Sequence, residues 1–213
     1  ETLPSGRTST SAVWTGECAY IFGGYNDSAG YLDQIVRYDP ATGNVTVMTE
    51  VLPTGRHGTS AIWTGNHAYI FGGFNGSNLH EIIRYDPATG NVTTLNETLP
   101  TGRVYTSAIW TGEQAYIFGG HDGTNSLDQI VQYDYTSGTV TILTETMPTP
   151  CHGTGAVWTG ERAYVFGGHD GINYIDDNIV CYDPTILYSM EPTRAFTVPG
   201  VYTATLTVRD AAG

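Results

Sequence analysis

The stretch Ala68-Tyr69-Ile70-Phe71-Gly72-Gly73 decides the fold, because the chain spells it four times. The other copies are Ala19-Tyr20-Ile21-Phe22-Gly23-Gly24, Ala115-Tyr116-Ile117-Phe118-Gly119-Gly120 and Ala163-Tyr164-Val165-Phe166-Gly167-Gly168. Their glycine pairs begin at 23, 72, 119 and 167, giving a period of 49, 47 and 48. Self-similarity at such a spacing marks a repeat architecture, in which each unit is one supersecondary element. Each copy reads as a short apolar strand, rich in aromatic and branched residues and halted by glycine. The doublet allows a positive φ, or a close approach of another backbone that a Cβ would block. A phosphate-cradling loop would need G-x-G-x-x-G opening a helix, and the sequence has none.

Outward from that strand, one unit runs as follows. Pro53 and Gly55 punctuate a turn, and His57 to Trp63 forms a first strand made mostly of small residues. Small side chains suit strands crowded together at the axis of a radial assembly. Thr64-Gly65-Asn66 is a tight hairpin turn into the glycine-terminated second strand. A loop leads to a third strand, Glu81 to Tyr85, and turn chemistry from Asp86 to Asn91 leads to a fourth, Val92 to Leu95. Four short antiparallel strands per unit, without helical periodicity, are what a propeller blade requires. The expected fold is all-β, with four four-stranded blades near residues 3–51, 52–98, 99–146 and 147–187.

Spacing separates scaffold from variable surface. From Leu-Pro or Met-Pro to the first glycine the distance is always 20 residues. From the third-strand tyrosine (Tyr38, Tyr85, Tyr133) to the next Leu or Met it is always 14. Between the second glycine and that tyrosine it is 14, 12, 13 and 14, the last ending at Tyr182. Length varies only in the loops 25–32, 74–79, 121–127 and 169–176, which in a repeat fold emerge on one face. Ligand binding is expected there.

These units resemble kelch repeats, with a glycine doublet closing the second strand and a tyrosine in the third. The kelch pattern usually places Trp seven residues after the tyrosine, where this chain has Val45, Val92 and Val140. Here Trp14, Trp63, Trp110 and Trp158 end the first strand instead. That Trp-Thr-Gly signature is similar to kelch-like repeats of archaeal and bacterial surface proteins. Residues 188–213 resemble the closing strands of a PKD domain, an immunoglobulin-like sandwich found on exported proteins. The resemblances imply an extracellular, cell-surface setting and a non-catalytic role in protein binding or adhesion.

Composition narrows the partners. The 213 residues carry a net charge of −13 with no Lys, which argues against nucleic acid. Three cysteines, Cys18, Cys151 and Cys181, sit at unrelated repeat positions and outline neither a disulfide framework nor a metal set. No stretch has the length to insert into a membrane. Glu1-Thr2-Leu3-Pro4 matches Glu97-Thr98-Leu99-Pro100, so the first residues read as the inside of a repeat. An open arc of four blades, completed by missing upstream repeats or by self-association, is the expectation that follows. A structural subunit of a surface filament or layer is the alternative to a binding module. An extracellular glycan-active or oxidase domain is a third, weaker one.

Candidate site residues lie just after the doublets: Tyr25, Asn26 and Asp27, then Phe74 and Asn75, His121 and Asp122, His169 and Asp170. The ordinary reading of the Asp and Asn positions is turn formation. Calcium held by loop oxygens of Asp27, Asp33, Asp122, Asp128, Asp170, Asp176 and Asp177 is the sharper one, although no EF-hand spacing supports it. The first-strand Trp residues read as packing rather than as a sugar platform. Arg7, Arg56 and Arg103, replaced by Cys151 in the fourth unit, are expected to bond carbonyls of neighbouring blades. Five asparagines open N-x-Ser/Thr triplets and are possible glycosylation sites: Asn26, Asn44, Asn75, Asn91 and Asn96. The ligand is expected to be a protein or a glycan, with no cofactor.

Overall fold

A computed structural model describes residues 1–175 and 179–184, and all regular elements in them are strands. The first blade is an antiparallel sheet of β1 (Ser11–Trp14), β2 (Ala19–Phe22), β5 (Gln34–Asp39) and β6 (Asn44–Val51). A small hairpin, β3 (Tyr25–Asn26) and β4 (Gly30–Tyr31), interrupts it. The second blade has β7 (Ser60–Trp63), β8 (Ala68–Phe71), β9 (Glu81–Tyr85) and β10 (Val92–Thr98). The third has β11 (Ser107–Trp110), β12 (Ala115–Phe118), β13 (Gln129–Asp134) and β14 (Thr139–Thr146). The fourth shows β15 (Gly155–Trp158), β16 (Ala163–Phe166) and β17 (Ile179–Tyr182). Strands pair in chain order within each blade, as in a propeller. The PKD-like reading of 188–213 falls outside the described residues.

Local chemistry explains each blade. The Thr-Gly dipeptide makes the first hairpin, with the Thr64 N–H donating to the His67 carbonyl at 3.1 Å and Gly65 at φ 98°. The same bond recurs from Thr15, Thr111 and Thr159. First strands are shorter than the sequence implied, beginning at Ser60 rather than His57. Gly58 takes φ 63° and breaks the ladder, leaving His57 in a single bridge with Phe74.

Three apolar cores lie between blades, not within them. Val13, Tyr20, Phe22 and Ile35 of the first blade meet Ala68, Ile70, Ile83 and Tyr85 of the second. Ile62, Tyr69, Phe71 and Ile82 meet Ala115, Ile117, Val131 and Tyr133. Ile109, Tyr116, Phe118 and Ile130 meet Ala163 and Val165, with Val180 and Tyr182 alongside. Each fully buried Phe or Ile contributes about 2 kcal/mol of transfer free energy. The Trp residues pack at the edges of these cores rather than inside them. Trp63, Trp110 and Trp158 are half-buried at the core margins, and Trp14 is exposed.

Polar ladders tie the blades at the axis. Ser11 Oγ and Thr59 Oγ1 lie 2.7 Å apart, and Ser60–Thr106 and Ser107–Thr154 repeat the bond at 2.8 Å. The small residues of the first strand thus serve as blade-to-blade contacts. A third link uses the doublet: the Gly73 N–H donates to the Arg103 carbonyl at 2.9 Å, while the Arg103 N–H donates to the Leu79 carbonyl at 3.0 Å.

The arginine side chains behave differently from the expectation. Arg56 donates to the Gly72 carbonyl at 3.1 Å and faces Glu81 at 3.4 Å, and Arg103 donates to the Gly119 carbonyl at 3.2 Å. These partners belong to the arginine's own blade, because the guanidinium folds inward while its backbone carbonyl reaches the preceding blade. Burial lowers the Arg103 pKa to about 10, so it remains a cation at neutral pH. Arg103→Ala should orphan the Gly119 and Thr101 carbonyls and open a cavity, costing about 3 kcal/mol in urea denaturation. Tyr85 is the converse case. Its buried hydroxyl has no hydrogen-bond partner among the described residues, and burial pushes its pKa up to about 12. Tyr85→Phe should therefore leave stability unchanged or raise it by up to about 1 kcal/mol.

Candidate functional site

The variable loops and the turns before the first strands meet on one side of the propeller. Backbone bridges fix the pairing: Thr8 with Tyr25, His57 with Phe74, Val104 with His121, and His152 with His169. The residue after each doublet therefore sits beside the residue after each connector arginine or Cys151. Loop ends close the group, through Tyr25–Tyr31, Phe74–Asn78, His121–Ser126 and His169–Tyr174.

The rings placed this way form a continuous band across the four blades. The Tyr31 ring stacks on His57 with centroids 5.6 Å apart and planes at 11°. His57 also touches Tyr25, Phe74 and Tyr105, at 6.0, 5.7 and 5.5 Å. Tyr105 carries the band on to His152 at 6.1 Å. His152 lies 5.3 Å from both His121 and His169, and His169 lies 5.1 Å from Tyr174. An open cavity of about 640 Å³ is lined by Val104, Tyr105, His121, His152, His169 and Tyr174.

Tyr105 occupies a costly conformation. Its φ is 58°, a left-handed value found at Gly58 and Gly153 in the flanking units and at Ser9 in the first. A bulky residue there is strained by about 1 kcal/mol or more. Backbone bonds hold it: its N–H donates to the Gly58 carbonyl at 2.7 Å, and its carbonyl accepts from Gly153 at 2.8 Å. The hydroxyl faces His57 Nδ1 at 3.4 Å.

The histidines are set by their hydrogen bonds. Gly123 N–H donates to His121 Nδ1 at 3.0 Å, and Gly171 N–H to His169 Nδ1 at 2.9 Å. A bare Nδ1 leaves the proton on Nε2, so each neutral ring keeps one N–H donor. His152 Nδ1 pairs with Ser126 Oγ at 2.9 Å. Burial lowers the His152 pKa, and the neighbouring His121 and His169 lower it further. Burial alone lowers that of His57.

Among the residues expected from the sequence, the structure gathers Tyr25, Phe74, His121 and His169 into the band. Asp122 and Asp170 form turns: Asp122 Oδ1 accepts from Thr124 and Asn125, and Asp170 Oδ1 from Ile172 and Asn173. Those N–H groups hold both carboxyls below the usual range. Asn26 caps its loop by accepting from Ser28 and Ala29, Asn75 accepts from Ser77, and Asp27 is exposed. Among the described residues no three His, Cys, Asp or Glu side chains converge as a metal set. Asp176 and Asp177 lie outside the described residues. Asn44, Asn91 and Asn96 are exposed on outer strands or turns, whereas Asn26 and Asn75 are half-buried.

Sequence reasoning missed His57, Tyr105 and His152, and reached Tyr31 and Tyr174 only as members of the loops 25–32 and 169–176. The signal was a variable dipeptide inside an otherwise regular segment: Thr8-Ser9, His57-Gly58, Val104-Tyr105 and His152-Gly153.

A family model, the KLHDC2/KLHL20/DRC7 Kelch-repeats domain, matches residues 9–208. The chain belongs to the kelch-repeat family. Kelch domains are generally non-catalytic and mediate protein interactions. No curated protein matches this chain. A solved structure described as "Structure of YjhT" is similar in fold, with a TM-score of 0.68 at 17% sequence identity. The match covers 79% of this kelch chain and 61% of that one.

The half-buried His57 and His152 predict an acid-sensitive fold. A depressed histidine pKa means that the unfolded chain binds the proton first, so stability rises with pH across that window. It should fall as pH drops below about 6.5, the unfolded value, and reach its loss at the lower folded values. Thermal melts between about pH 7.5 and 5.5 should show a declining Tm, reduced in slope by His152→Asn.

Proposed function

We propose that this chain is a non-catalytic binding module that takes a protein partner on the loop face. The single observation behind this reading is the band of rings from Tyr25 to Tyr174, which opens into the cavity around His152. Aromatic rings supply large, rigid contact area, and the histidine nitrogens and tyrosine hydroxyls add directional hydrogen bonds. Such a mixture is typical of interaction anchors. The strained backbone of Tyr105 fits a residue kept for contact rather than for folding.

The setting we propose is the cell surface, with adhesion as the physiological outcome. Support comes from the Trp-Thr-Gly repeat signature, the five N-x-Ser/Thr triplets and the charge of −13. A glycan partner is the second reading, favoured by the exposed Tyr174 ring beside the histidine donors.

Immobilised extracellular protein libraries and glycan arrays, probed with the folded chain, test both readings. The double variant His152→Ala/Tyr105→Ala should weaken binding by at least about tenfold, equivalent to about 1.4 kcal/mol. Thr141→Ala on the exposed face of β14 should leave it unchanged. Binding that survives the double variant would place the site elsewhere.

A further inference from the structure

The loop face has one sign of charge. The variable loops 25–32, 74–79, 121–127 and 169–176 contain Asp but neither Lys nor Arg. The neighbouring connectors do carry arginines, and these are spent inside the blades. Arg56 and Arg103 are 0 to 1% exposed, with their guanidiniums folded onto the Gly72 and Gly119 carbonyls. Arg7 donates to Gln34 Oε1 at 2.7 Å. Asp122 and Asp170 are held below the usual carboxyl range by the N–H groups of their own turns, so both stay ionised in mild acid. Near neutral pH the charge of this face therefore changes through its histidines.

That charge meets an accessible ring at the junction of the first two blades. Tyr31 is 37% exposed and lies with one face on His57. Tyr25 and Phe74 hold it in T-shaped contacts, with centroids at 5.5 and 5.8 Å. Its hairpin, β3–β4, carries the exposed Asp27 at the turn. An aromatic face is electron-rich and attracts a cation. A guanidinium stacks flat on such a face and keeps its N–H groups for a carboxylate, whereas a Lys ammonium has no plane to stack.

We propose that the loop face receives a basic segment of its protein partner, with an arginine guanidinium on the exposed side of Tyr31 and Asp27 of the same hairpin as its counter-charge. This assignment rests on the loop-face binding reading and adds the partner's chemistry to it. The net charge of −13 steers such a segment toward the chain, and salt screens that steering.

His57 sets a pH limit on the contact. It faces Tyr25, Tyr31, Phe74 and Tyr105, whose hydroxyl lies 3.4 Å from Nδ1, and no charged side chain pairs with it among the described residues. Burial lowers its pKa and keeps the ring neutral under the Tyr31 face at neutral pH. A proton on His57 would place a second cation on the same aromatic ring and repel the guanidinium. Arginine binding therefore favours the deprotonated histidine and weakens as pH falls.

Calorimetric titration of the native chain with a triarginine amide, at physiological salt and about pH 7.5, provides the test. Triarginine should bind more tightly than trilysine of equal charge, and triglutamate should not bind. Tyr31→Leu should weaken triarginine binding about three- to fivefold. Asp27→Asn, at an exposed position, should weaken it about twofold. Glu113→Gln removes a charge from the β11–β12 hairpin, at the other end of the strands, and should leave affinity unchanged. Lowering the pH to about 5.5 should weaken binding to the native chain, and less so to Tyr31→Leu. Equal affinity for trilysine, indifference to both Tyr31→Leu and Asp27→Asn, or binding that tightens in acid would overturn the assignment. Loop-face capture of proteins without a basic segment would overturn it too, while leaving the loop-face reading intact. That reading stands or falls on the His152→Ala/Tyr105→Ala variant.

Discussion

The structure depends on one close approach. At Gly23, Gly72 and Gly119 the carbonyl of the next blade's connector lies 2.3 to 2.4 Å from where a Cβ would stand. No side chain fits there, and the φ of 56 to 60° is one that L-residues avoid. The second glycine meets a threonine methyl and a backbone carbonyl at 2.6 to 3.0 Å. The doublet is thus the place where one blade's edge receives the next. The apolar cores follow from that joint, since it sets the facing sheets at a distance their aromatic and branched side chains fill.

This explains why so much of the fold was legible. A period near 48, the glycine pairs and the invariant spacings all report the same joint, so strand order and blade limits follow from counting. What the sequence blurred was direction within the joint. Arg56 and Arg103 were expected to bridge blades by their side chains, and the bridging group is their backbone carbonyl. Pattern reveals that a residue recurs, not which of its atoms makes the contact. Recurrence does not report depth either: the tryptophans read as packing residues, and the end of a four-residue strand sets Trp63, Trp110 and Trp158 at the margin of the sheet.

The site was half legible. Length variation marked the loops after the doublets, and Tyr25, Phe74, His121 and His169 came from that signal. Tyr105 and His152 lie in the turn before the first strand, a segment constant in length, so counting could not find them. Only side-chain variation flagged them. The backbone there takes positive φ in every unit, and three units satisfy it with Gly or Ser. Tyr105 alone places a large ring in that conformation, a local conflict of the kind expected where contact outranks folding.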